Sequence, residues 1–146
     1  MLPVLARANQ GGFLTDSSQP GCDEPGADGR RWRQRAAVEG FVTDERLLFA
    51  LDRAAQSHRL TFLSRAAGGS SRRPAVTVTA VDGKPYTWFG AQLTARDLRH
   101  IWQGLSRPAM DAVIAAQQVT IIDPTWGSST RLWTALDEAL TRTPTY

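Results

Sequence analysis

The chain has 146 residues, 42% of them hydrophobic and 21% charged, with 12 Gly and 8 Pro. This is the profile of one soluble globular domain that buries roughly 68–70% of its unfolded surface without a metal or disulfide staple. It excludes a coiled coil, a collagenous chain and a wholly disordered chain. The formal net charge of +3 is mild, but Lys84 is the only lysine, so the remaining positive charge is arginine. Arginine codon usage in a GC-rich genome accounts for such a bias. So does anion recognition, because a planar guanidinium grips phosphate or carboxylate in a bidentate way that an ammonium cannot.

In chain order, Pro3 suits the first turn of a short helix that turns Leu2, Leu5 and Ala6 inward and ends at Gly11-Gly12. Phe13-Leu14-Thr15 reads as a short strand, and 16–29, with two Pro-Gly pairs and almost no apolar content, as a flexible loop. From Arg31 to Val42 the apolar residues alternate, which predicts a strand. Thr43 then caps a helix with Leu47, Leu48, Leu51, Ala54 and Ala55 inward. Leu60–Leu63 is the next strand and Gly68–Arg73 a flexible loop. Ala75–Val81 and Tyr86–Phe89 form a hairpin turned by Asp82-Gly83. Thr94 caps a helix carrying Leu98, Ile101, Trp102 and Leu105. Ser106 and Pro108 start another with Met110, Val113 and Ile114 inward. Val119–Ile122 is a strand ending at Asp123-Pro124, and a last helix runs from near Ser128 to Arg142, followed by a short tail. The fold class is α+β: one domain over 1–146, with a mixed or antiparallel sheet of about six strands and helices packed on it.

The chain contains no HExxH, CxxC, Walker A or GxSxG motif. His58 reads as a helix-end cation and His100 as a surface residue. Asp123 is the best single carboxylate candidate for a site, set against a plain Asp-Pro turn. No metal or cofactor is expected, because nothing in the spacing gathers His, Cys and carboxylates. Cys22 is the lone cysteine and permits no internal disulfide, no apolar run reaches the ~18–20 residues of a membrane span, and the start lacks a secretory pattern. The expected setting is cytoplasmic.

The richest segment for binding is 15–41. Thr15, Ser17, Ser18, Gln19 and Gly21 offer hydroxyls, an amide and turn N–H groups, and Arg33, Gln34 and Arg35 follow on the strand. On a strand, Arg31, Arg33 and Arg35 project from one face at ~7 Å spacing, a set suited to a phosphate-bearing ligand; an edge strand blunted by charge presents the same pattern. Trp126 lies in a loop, where its plane either stacks on a base or caps the core, whereas Trp102 and Trp133 sit at helical core spacing. The stretch Gly12-Phe13-Leu14-Thr15-Asp16-Ser17-Ser18-Gln19-Pro20-Gly21, with Gln34-Arg35-Ala36-Ala37-Val38-Glu39-Gly40-Phe41, resembles an uncharacterised actinobacterial domain family. In that family a Ser-Gln-Pro-Gly loop precedes a Gln-Arg-Ala…Gly-Phe strand. The resemblance carries no activity and implies that Ser18, Gln19, Pro20, Gly21, Gln34 and Arg35 form one site.

The functional expectation is a non-enzymatic binding protein for an anionic, nucleotide-like small ligand. By analogy it matches small viral or mobile-element proteins that sequester nucleotide immune signals. The alternatives are an enzyme on nucleotides or phosphoesters, with Arg35 holding substrate and Asp123 as base, and a protein-interaction module of the immunity or antitoxin kind. Nucleic acid is the weaker partner, because acidic residues nearly balance basic ones and no helix is rich in Arg or Lys. A homo-oligomer is compatible with ligand capture, although no sequence feature demonstrates one.

Overall fold

The computed structural model describes residues 1–69 and 74–142. α1 (Leu2–Gln10) leads into β1 (Phe13–Gln19), β2 (Cys22–Pro25) and the long β3 (Arg31–Val42). α2 (Glu45–Ser57) and β4 (Thr61–Ala66) follow, then the hairpin of β5 (Val76–Val81) and β6 (Lys84–Phe89). α3 (Ala95–Ile101), α4 (Arg107–Ala115), β7 (Gln117–Trp126) and α5 (Arg131–Arg142) complete the order. Among the described residues these make one α+β domain with a seven-stranded sheet of order β4-β7-β3-β5-β6, in which β1 and β2 also pair with β3. Every pairing between strands is antiparallel.

β3 organises the sheet because its twelve residues exceed any neighbour's reach. Its C-terminal half lies between β1 and β7, and its N-terminal half between β2 and β5. One face of the sheet is covered by α1, α2 and α5, whose Val4, Ala8, Leu47, Leu51, Leu132 and Leu136 close over Phe13, Val38 and Val119. Full burial of each of the valine, leucine and phenylalanine side chains among these contributes roughly 1.5–3 kcal/mol. The other face is covered at one end only, where Leu98, Met110 and Val113 of α3 and α4 pack on Phe41 and Ala67. There Trp102 meets Phe41 edge-to-face at 5.6 Å.

The local signals that depend on few residues match the structure closely. β3 spans the whole of the alternating run. Asp82 and Gly83 both adopt positive φ, 49° and 78°, as a two-residue hairpin turn of the inverted type demands. Thr94 caps α3 in a reciprocal box with Asp97, and the Ser106 hydroxyl accepts from Ala109 N–H at the start of α4.

Elsewhere pairing overrides composition. The 16–29 segment is largely strand rather than loop: β1 continues through Gln19, β2 occupies Cys22–Pro25, and Pro20-Gly21 and the Gly26–Arg30 turn interrupt the ladder. Its polar residues fit because β1 and β2 pair through their backbones along β3, where the ladder requires no apolar side chain. β7 likewise runs past Asp123-Pro124 to Trp126. A bulge takes up the extra residues, the register jumping from Ala37↔Ile122 to Arg35↔Trp126, and this spares Pro124 a ladder hydrogen bond. Trp126 is therefore a strand residue, not a loop residue.

Smaller differences follow from packing. α1 buries Val4 and Ala8 while Leu2 and Ala6 are exposed. Asp44 rather than Thr43 caps α2 by accepting from Arg46 N–H. Ile101 and Leu105 are exposed, since only Leu98 and Trp102 of that helix reach the sheet layer. α5 begins at Arg131. The expected Gly68–Arg73 loop lies partly, and the tail after 142 wholly, outside the described residues.

Candidate functional site

The N-terminal half of β3 carries arginine at alternate positions, and the sheet sets an indole beside them. Arg35 lies directly across from Trp126, with its guanidinium carbon 4.3 Å from the ring centroid; that of Arg33 is 5.3 Å away. Two cations against one indole ring offset part of the cost of leaving bulk water. Arg35 also donates from Nη1 to the Thr77 carbonyl at 3.2 Å. The Nε–H groups of Arg33 and Arg35 are buried and make no hydrogen bond. Arg31 grips Asp23 in a bidentate pair, Nε to Oδ1 at 2.8 Å and Nη2 to Oδ2 at 3.0 Å, and Arg33 Nε stands 3.5 Å from the same carboxylate. Hydrogen bonding from Arg31, then the charges of Arg31 and Arg33, hold the Asp23 carboxyl below its ordinary range. Among the described residues no carboxylate lies within ion-pair distance of Arg35. This corner of the sheet thus presents guanidinium donors in excess of their acidic partners.

The other residues singled out by sequence are distributed along β1, and several are committed to structure. The Gln19 amide fills the join between β1 and β5, donating to the carbonyls of Arg35 (2.7 Å) and Val78 (3.0 Å) and accepting from Thr79 Oγ1 (3.3 Å). Gly21, at φ 85°, passes so close over β3 that a Cβ there would stand 2.9 Å from Ala36 N and against the Gly127 carbonyl. Thr15 is held to α1 by both ends of the Asn9 amide. Ser17 and Ser18 lie across from Glu39 and Val38. Gln34 accepts from the Cys22 thiol at 3.5 Å and from Gly127 N–H at its carbonyl. Gln19 and Gln34 thus adjoin Arg35 as backbone supports, whereas Thr15, Ser17 and Ser18 extend away along the sheet.

Asp123 is the buried anchor of α5. It accepts from Ser129 Oγ at 2.6 Å, Thr125 N–H at 2.9 Å and a two-pronged Arg131 at 2.6 and 3.2 Å. Burial raises its pKa, but these bonds and the Arg131 charge outweigh it and hold the carboxyl below the usual range. With its oxygens engaged, Asp123 offers no free base. His58 caps α2 and meets Glu138 at 3.2 Å.

Sequence reasoning passed over Glu39. It shares the parity of Arg31, Arg33 and Arg35, so the alternating run marked it as an outward charge, and Phe41 two residues on was the one sign that this face becomes covered at the end of β3. Its carboxylate accepts from Gly90 N–H at 2.8 Å and Thr120 Oγ1 at 3.3 Å. Burial pushes its pKa up and the Asp16 charge adds to this, against those two bonds. Asp16, the bulged residue of β1, is raised by burial as well, opposed by the Trp102 indole.

Among the described residues no group of His, Cys, Asp and Glu could hold a metal ion, and no helix is long and apolar enough to cross a membrane. No curated protein matches the chain. A family model described as a domain of unknown function does match, over residues 1–143, and the chain belongs to that family, DUF6919.

Proposed function

We propose that the protein binds an anionic, phosphate-bearing small molecule without turning it over, and that Arg33 and Arg35, arrayed on Trp126, are its receptor. The observation that carries this reading is Arg35: a guanidinium fixed on an indole with no carboxylate partner among the described residues. A partly buried, positioned guanidinium binds an oxyanion without first having to be ordered. The Trp126 face is occupied by these arginines, so the indole serves to hold the guanidinium groups in place instead of stacking on a base. A cytoplasmic setting and a homo-oligomer belong to the same proposal, as does a sequestering role.

Native mass spectrometry of the protein freshly purified from cells, with analysis of the heat-released fraction, tests the reading. A co-purifying phosphorylated molecule that is absent from the Arg35→Ala variant is the expected result, and the same spectrum reads the oligomeric state. A bare mass, together with no response to added phosphorylated compounds, would favour the protein-interaction reading. Turnover of a bound phosphoester would favour the enzyme.

A further inference from the structure

Charge balance around the arginines narrows the ligand class, an inference that rests on the binding reading above. Arg31, Arg33 and Arg35 share one face of β3, and among the described residues the carboxylate that meets their guanidinium groups is Asp23. Asp23 is neutralised mainly by Arg31, through two aligned hydrogen bonds, and reaches Arg33 only at 3.5 Å. Asp82, whose carboxylate accepts from the Arg31 backbone N–H at 2.9 Å, stands at the Arg31 end of the row, so among the described residues the uncompensated positive charge is centred on Arg33 and Arg35. From this geometry we infer that the anionic group received here is a terminal phosphate carrying two charges, a phosphomonoester, and that Asp23 is a resident counter-ion with which it must share Arg33.

Coulomb attraction scales with ligand charge, so a dianion gains about twice what a monoanionic diester gains in the same field. A monoester also has several free oxygens to meet separate guanidiniums, while a diester has two. The charge of the site itself is constant across mildly acidic and neutral pH, because arginine stays protonated and Asp23 is held ionised by Arg31. Glu39, further along the same face of β3 with its carboxyl raised by burial, acts on both esters in the same sense, so a pH dependence of the preference between them reports the ligand. A phosphomonoester loses its second charge around pH 6, so its binding weakens on acidification while that of a diester does not.

Methyl phosphate and dimethyl phosphate are suitable probes, titrated against the whole protein while following the Trp126 indole N–H by NMR, with Trp126→Phe identifying the signal. Methyl phosphate is expected to bind about tenfold or more tightly than dimethyl phosphate at about pH 7.5, and to lose most of that advantage at about pH 5. Asp23→Asn should strengthen both, and methyl phosphate more. Asp28→Asn, which removes a carboxylate paired instead with Arg30, should change neither, and both variants replace surface carboxylates whose loss a folded domain tolerates. Equal binding of the two esters, a pH-independent preference, or indifference to Asp23→Asn overturns the inference while leaving anion binding intact. Silence of the Trp126 signal to both esters overturns the binding proposal itself.

Discussion

The two halves of β3 belong to one strand but to different environments. From Ala36 to Val42 it is sandwiched between β1 and β7 with helices on both sides, and Ala36, Ala37, Val38, Gly40, Phe41 and Val42 are all buried. From Arg31 to Arg35 it passes between the short β2 and β5, where no helix packs on the arginine face. The first half concentrates stability. The second spends little apolar burial and keeps guanidinium groups positioned by an indole and a carbonyl. A strand can serve both ends because its backbone ladder is indifferent to side chains, so a rigid half holds a polar half in register.

This contrast is most directly broken at Gly40. The β1 bulge at Asp16 brings that strand's backbone over Gly40, so a Cβ would lie 2.7 Å from Thr15 Cα and against the Leu14 carbonyl. Gly40→Val should cost about 4 kcal/mol or more, because the β1 backbone must move away from β3; chemical denaturation measures it, and a loss below about 1 kcal/mol would deny the half its structural role. Asp123→Ala comes next. It strands Ser129 and Arg131, and the expected loss is about 2–3 kcal/mol, reduced from that of a fully buried pair because Arg131 is partly exposed. The sign with pH follows from the lowered carboxyl: the stabilisation from Asp123 is complete above the ordinary Asp range and disappears as pH falls through its depressed value.

Glu39 should behave in the opposite sense. Its raised carboxyl favours the protonated form in the folded state, so its contribution is most favourable at low pH and declines as pH rises from the ordinary Glu value through the raised one. Glu39→Gln, which retains an acceptor for Gly90 N–H, is expected to be more stable than the parent at neutral pH and to lose that advantage in acid. Urea midpoints across this range decide it, and an unchanged difference would show that Glu39 is not held against its charge. The smallest stability effect is expected in the polar half. Arg35→Ala should shift stability by less than about 1 kcal/mol, because the side chain is partly exposed and its one conventional bond is to a carbonyl. Binding of phosphorylated compounds should nevertheless be lost. A variant that unfolds instead would place Arg35 among the structural residues.

Much of the fold was legible because it rests on short-range rules. Alternation marked β3, positive-φ chemistry marked Asp82-Gly83, and hydroxyl caps marked α3 and α4, each decided by a few neighbouring residues. The strands hidden in 16–29 were illegible for the opposite reason: Ser17, Ser18 and Asp23 have no strand preference of their own and are extended because β3 offers them backbone partners. The candidate site divides the same way. The arginine spacing on β3 was evident, but Trp126 opposite Arg35 depends on a bulge at Asp123–Thr125 that no local pattern announces.

The chain by itself therefore determined its class, the starts of α3 and α4, its longest strand and the face on which its arginines stand, because periodicity and capping act within a turn or a pleat. Tertiary structure alone decided which carboxylates are spoken for and which guanidiniums are not. Asp123 found Ser129 and Arg131, Asp23 found Arg31, and Arg35 was left with an indole and a carbonyl. Those partnerships are set by strand register and burial across the sheet, where the energy of a charge depends on what stands opposite it and not on what precedes it in the chain.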